Sequence, residues 1–103
     1  MQEYDRFSDP EYIAWARKVK ERDKFTCQIC CETNTYLHSH HCNSWDIFIE
    51  QRLDVGNGIT LCAFCHEKFH SSYGVGRNTR FQFEEYKKLA IILRKVALEH
   101  GKR

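Results

Sequence analysis

The sequence has no apolar run near the roughly 18 residues that a membrane-spanning helix needs, no internal repeat and no low-complexity tract. A membrane span and a repeat array are therefore not expected. Net charge is scarce too. The formal total is +2, and so small an excess names no partner by itself. The opening stretch "MQEYDRFSDPEY" lacks the apolar core of a secretory signal. An intracellular, cytoplasmic setting with no membrane partner is the expectation.

What is present is cysteine and histidine, six of each in 103 residues. A chain of this size is expected to form one domain, 1–103, near the lower limit for a self-sufficient hydrophobic core. Domains this small often need a metal or cross-link as a staple. Inside cells, cysteines serve more often as metal ligands than as disulfides.

Three segments follow from the patterning. In residues 1–24, a helix is expected over 9–22, with Ser8 and Glu11 as a capping box and Pro10 in its first turn. Tyr12, Trp15, Ala16 and Val19 recur at helical spacing and should face inward. Residues 25–72 hold most of the Cys and His. Short strands are expected in "TYLHSHHC" and at Ile59, Thr60 and Leu61, with a loop containing a helical turn between them and a helix over 63–70. In residues 73–103, the glycines of "SSYGVGRNT" mark a loop. Thr79 and Gln82 then cap a long helix with an inner stripe of Phe83, Tyr86, Ala90, Leu93 and Ala97, ended by Gly101. The fold class expected is α+β.

Two CxxC knuckles, Cys27/Cys30 and Cys62/Cys65, are separated by 31 residues. Zinc takes four tetrahedral ligands, and each knuckle offers two thiolates from one tight turn. A structural Zn²⁺ joining both ends of the middle segment is expected, with disulfides as the competing reading. Cys31 and Cys42 fall outside the standard spacing.

The histidines are then free for a second site. His66 and His70, four apart on a helix, share a face and can reach one ion. A single site from Cys62, Cys65, His66 and His70 is the competing geometry, but it leaves the first knuckle unused. His40 and His41 would point to opposite faces in mid-strand. They can serve one cleft if the strand ends there, one binding the ion and the other acting as a base, for which imidazole has a suitable pKa. His38 shares a strand face with His40 and could touch substrate or ion, with a surface or packing role as the favoured reading, and His100 reads as a complement to a helix C-terminus. Trp45 reads as packing.

The run His40-His41, Asn57, His66, His70 resembles the HNH (ββα-metal, or His-Me finger) endonuclease family. The flanking "RDKFTCQIC", "NGITLCAFCHEKFH" and "YGVGRNT" followed by "QFEEY" look like the small enzymes of phages and mobile elements. The resemblance covers about residues 17–86, and its spacing, nine from Asn57 to His66 and four to His70, is that of the colicin branch. It implies a ββα core stapled by the four-cysteine zinc site and flanked by two helices, acting on DNA in the cytoplasm, in a phage-encoded case that of the host. It implies His41 as the general base and Asn57 as the residue bracing the loop. His40 and His66 would be ligands of a catalytic divalent ion (Mg²⁺, Mn²⁺, Ni²⁺ or Zn²⁺), and His70 a third ligand as in the colicin branch.

Basic residues crowd 17–24 (Arg17, Lys18, Lys20, Arg22, Lys24), recur at Arg77 and Arg80, and close the chain at Lys102 and Arg103. Such clusters track a phosphate backbone, although Glu21 and Asp23 make an ordinary solvated helix face equally consistent. Arg17, Lys18, Arg52, Arg77, Asn78 and Arg80 are the candidate contacts to double-stranded DNA. The expected function is metal-dependent hydrolysis of DNA phosphodiesters. An RNase with the same site and a non-catalytic zinc module that binds nucleic acid are the alternatives. No heptad decides between monomer and dimer.

Overall fold

A computed structural model describes residues 4–101; Lys102 and Arg103, part of the basic pattern above, lie outside the described residues. The chain runs through helix α1 (Pro10–Arg22), strand β1 (Leu37–His41), strand β2 (Gly58–Cys62), helix α2 (Ala63–Tyr73) and helix α3 (Arg80–Gly101). This is an α+β fold whose centre is β1–β2–α2 in unbroken sequence order. A short 3₁₀ turn at Arg6–Ser8 precedes α1, and two more, Ile49–Gln51 and Val55–Asn57, lie between the strands.

The strands pair antiparallel, with His40 opposite Ile59 and His41 opposite Gly58. Because successive side chains alternate, the two faces of this ribbon serve different helices. Ser39 and Thr60 hydrogen-bond to the α1 carbonyls of Ala16 (2.7 Å) and Val19 (3.4 Å). Gly58 lies on the same face, and an ideal Cβ there would sit 2.4 Å from Val19 Cγ2 and 2.7 Å from Trp15 Cζ2. Glycine is what lets α1 lie so close to the sheet. On the other face, Ile59 and Leu61 join Phe69 of α2 and Phe83 of α3 in a core that also holds Cys27, Ile29, Cys42, Cys62 and Cys65.

Helix α1 buries Trp15 and Val19 as its periodicity requires. Its cap differs from the expected box. Asp9, not Ser8, accepts the Glu11 N–H (2.9 Å), while Ser8 belongs to the preceding 3₁₀ turn and donates to Asp5. Two potential caps stand side by side, and the carboxylate, a stronger acceptor than a hydroxyl, holds the helix start. The α3 box forms as expected: Thr79 Oγ1 accepts from Gln82 N (3.2 Å) and Gln82 Oε1 accepts from Thr79 N (3.1 Å). Its inner stripe is only half realised. Phe83 is buried and Tyr86 and Ala90 pack on the core, but Leu93 is 67% exposed and Ala97 is also exposed. The helix outruns the small body it packs against, and the described chain measures 59 × 26 × 23 Å. No helix among the described residues is long and apolar enough to cross a membrane.

Candidate functional site

The Cys27, Cys30, Cys62 and Cys65 sulfurs lie within 4.8 Å of one another. Each pair is placed by a local turn. In the first knuckle Cys31 N–H bonds to Cys27 O (2.9 Å) and Cys27 N–H to Glu32 O (3.0 Å). The reversal is completed by Cys31 at φ 65°, a left-handed position unusual for a residue with a side chain. In the second, Cys62 ends β2 and caps α2, its sulfur accepting the Cys65 N–H (3.4 Å). Cys30 and Cys62 sulfurs are 3.7 Å apart, far beyond a disulfide bond, and all six cysteines are free.

Burial and then the neighbouring cysteines push the Cys30 thiol up to about 11, and burial and the other three sulfurs raise Cys65 further. At Cys27, burial is outweighed by bonds from backbone N–H groups, which lower its pKa. Four cysteine sulfurs gathered this closely are a donor set that fits a metal ion. Cys42 is buried in the core, where desolvation raises it to about 11, and Cys31 is exposed. Neither joins the cluster.

Ligand nitrogens of His40, His66 and His70 also lie within 4.8 Å of one another. The mixed Cys2His2 alternative is thereby set aside, because Cys65 and His66 face separate clusters. His40 comes from the end of β1 and packs on Phe69 and Phe83 with ring centroids 5.0 and 5.1 Å away. Its Nε2 is buried without a hydrogen-bond partner. Such an orphan is rare in a native interior, and a cation supplies what it lacks. His66 and His70 face each other from one side of α2, Nε2 to Nε2 at 3.0 Å. Burial first, then repulsion from neighbouring imidazoles, holds His40 well below the usual range and His66 at about 4. Both rings are therefore neutral near pH 7, the form that binds metals.

His41 leaves β1 on the α1 side, its ring stacked on Trp15 at 3.9 Å. Its Nε2 bonds to the Arg52 carbonyl (2.8 Å). A carbonyl only accepts, so in the neutral ring the proton sits on Nε2 and Nδ1 carries the lone pair. Burial, with smaller contributions from Arg6 and Arg52, lowers His41 to about 4. Asn57 holds the connection that aims it. The Asn57 amide accepts from Asn43 N (2.9 Å) and donates to Asn43 O (2.9 Å) and Gln51 O (3.3 Å). Gln51 directly precedes Arg52, so this brace fixes the segment carrying the carbonyl on His41.

Although β1 sends His40 and His41 to different helices, both line one cleft of about 720 Å³ with His38, His66 and His70. The strand ends at His41, as a shared cleft requires. The cations lining it are Arg6 and Lys20. Arg6 has no motif to flag it; its guanidinium sits 4.7 Å from the Trp45 ring centroid. The basic residues expected to contact phosphate are not among those lining the cleft. Arg17 pairs with Glu21 at 3.2 Å on the exposed face of α1, beside exposed Lys18. Arg52 donates to Trp45 O (2.7 Å) and lies over its ring. Arg77 is exposed, and Arg80 donates to Gly56 O (2.6 Å). Asn78 lines the cleft but is 2% exposed. Its amide is committed to Tyr73 O, Gln82 Oε1 and Gly76 N. These bonds brace the loop.

No known family profile and no solved structure matches the chain. Anaredoxin from Nostoc sp. is 32% identical over 54 residues, which are 52% of this chain and 68% of that protein. The chain belongs to the Anaredoxin family. The four-thiol and three-imidazole clusters are thus features of an Anaredoxin relative.

Proposed function

We propose that this Anaredoxin relative is a metal-dependent endonuclease that hydrolyses phosphodiester bonds in double-stranded DNA. The observation that carries this reading is one cleft holding three converging imidazoles, His40, His66 and His70, beside a fourth, His41, whose Nδ1 lone pair is free. In this reading zinc fills the four-cysteine site and is structural. A divalent ion bound by the histidines would stabilise negative charge on the phosphoryl oxygens and on the leaving 3′ oxygen.

The chain's own residues do the rest. His41 Nδ1 removes a proton from the attacking water, and its Nε2–H, held by the Arg52 carbonyl, keeps the lone pair aimed into the cleft. Asn57 fixes that carbonyl through the loop. Arg6 and Lys20 draw the phosphate backbone into the cleft.

Supercoiled plasmid, incubated with Mg²⁺, Mn²⁺ or Ni²⁺ in turn, tests the reading. The wild type is expected to nick or linearise it. His41→Ala with unchanged zinc content should be slower by about 10²–10⁴-fold, the usual contribution of a general base. Equal rates in both proteins would remove His41 from the chemistry. DNA binding without cleavage under any ion would leave a zinc-stabilised binding module, and cleavage of RNA alone would change the substrate.

A second reading rests on the relative's name, which has the ending of redox carriers. Four thiolates in a tetrahedral set suit iron as well as zinc. Metal analysis of the purified protein separates the two: iron with visible charge-transfer absorption favours a redox centre, and colourless zinc the nuclease.

A further inference from the structure

His38 precedes the paired histidines by two positions on β1 and faces the same side of the ribbon as His40. The second nitrogen of each α2 histidine is engaged. His70 Nδ1 bonds to the Gly74 carbonyl (2.9 Å), and His66 Nδ1 lies 2.6 Å from His38 Nδ1.

Proton positions follow from the one unambiguous acceptor. The Gly74 carbonyl only accepts, so His70 carries its proton on Nδ1 and a lone pair on Nε2. His66 Nε2, 3.0 Å away, must then donate to it. That leaves the lone pair of His66 on Nδ1, and His38 Nδ1–H donates to it.

An ion at the cluster needs the lone pair of His66 on Nε2. The proton there must move to Nδ1, where it needs an acceptor, and a metal-bound imidazole almost always gives its other N–H to one. Among the described residues, the group within hydrogen-bond reach of His66 Nδ1 is His38 Nδ1. It becomes the acceptor when its own proton moves to Nε2. Both rings are neutral before and after, and no net proton is released.

We propose that His38 is a positioning residue for the ion site, accepting the Nδ1–H of His66 and so holding the His66 Nε2 lone pair toward the ion. The proposal rests on the nuclease reading, because it requires an ion at His40, His66 and His70. It assigns to His38 a role beyond packing on Tyr36, whose ring centroid is 5.0 Å away.

The test is divalent-ion affinity by calorimetry, with Mn²⁺ and Ni²⁺ titrated into zinc-loaded wild type, His38→Ala and His38→Gln. Loss of the acceptor should weaken binding about 10–100-fold in His38→Ala. Gln, whose amide oxygen accepts a hydrogen bond, should recover much of it. Nitrogen-15 NMR of the wild type provides a readout independent of affinity: filling the site with Zn²⁺ should move His38 from the Nδ1–H to the Nε2–H tautomer. Wild-type affinity in His38→Ala, or an unchanged His38 tautomer on filling, would overturn the proposal. So would equal loss in the Ala and Gln variants. A wild type that binds no ion, and is unaltered by His40→Ala, would instead sink the nuclease reading beneath it.

Discussion

Asn57 is 1% exposed and bonds both the N–H and the C=O of Asn43. No other residue type of its size accepts and donates from one planar group in this way. Asn57→Ala should leave buried backbone groups unpaired, at about 1–3 kcal/mol for a group of this kind. The measurement is a urea melt, whose midpoint should fall. In the proposed reading His41, no longer held at the Arg52 carbonyl, should also lose cleavage more steeply than folding loss explains. Unchanged stability would mean that water replaces the amide. At this scale the sequence was informative where chemistry dictates residue type. Two CxxC knuckles and an i, i+4 histidine pair have few other uses, and both clusters assemble. Arg6 was illegible because its place depends on a 3₁₀ turn that brings it against Trp45 from 39 positions away.

The ribbon separates two kinds of element. α1 supports His41 through Trp15, whereas α2 supplies His66 and His70 and packs against His40. Gly58 belongs to the α1 side, and Gly58→Ala should force α1 outward against two buried side chains. Overpacking of this kind typically costs about 1–3 kcal/mol. Comparing thermal melts with ion titrations checks the element assignment: stability should fall and, in the proposed reading, cleavage with it, while divalent-ion affinity stays near that of the wild type. A matching loss of affinity would show that the two faces are not separable. Element types were legible because hydrophobic period and capping residues are local signals. The extent of α3's buried stripe was not, because nothing local reports how wide the body beneath it is. The apolar positions simply continue past the last surface available to cover them.

Across the whole molecule, cysteines make up four of the nine buried residues of the central cluster, and three of those are candidate metal ligands. The packing they supply depends on sulfurs that repel one another when ionised. Removing the ion with a strong thiol-compatible chelator should therefore unfold the described core, seen as loss of helical circular dichroism and restored on adding Zn²⁺. Retention of the native spectrum would mean that Phe69, Phe83, Ile59 and Leu61 suffice. The two clusters also meet at a single peptide bond, between Cys65 and His66 in the first turn of α2. In the proposed reading, whatever free energy the thiolate site gains from fixing that turn is shared with the imidazole site. The thermodynamic cycle closes only if each ion tightens binding of the other by the same factor. A cell that limits zinc would then set the divalent-ion requirement of this protein without any change at the cleft, and paired titrations in both orders would measure that factor.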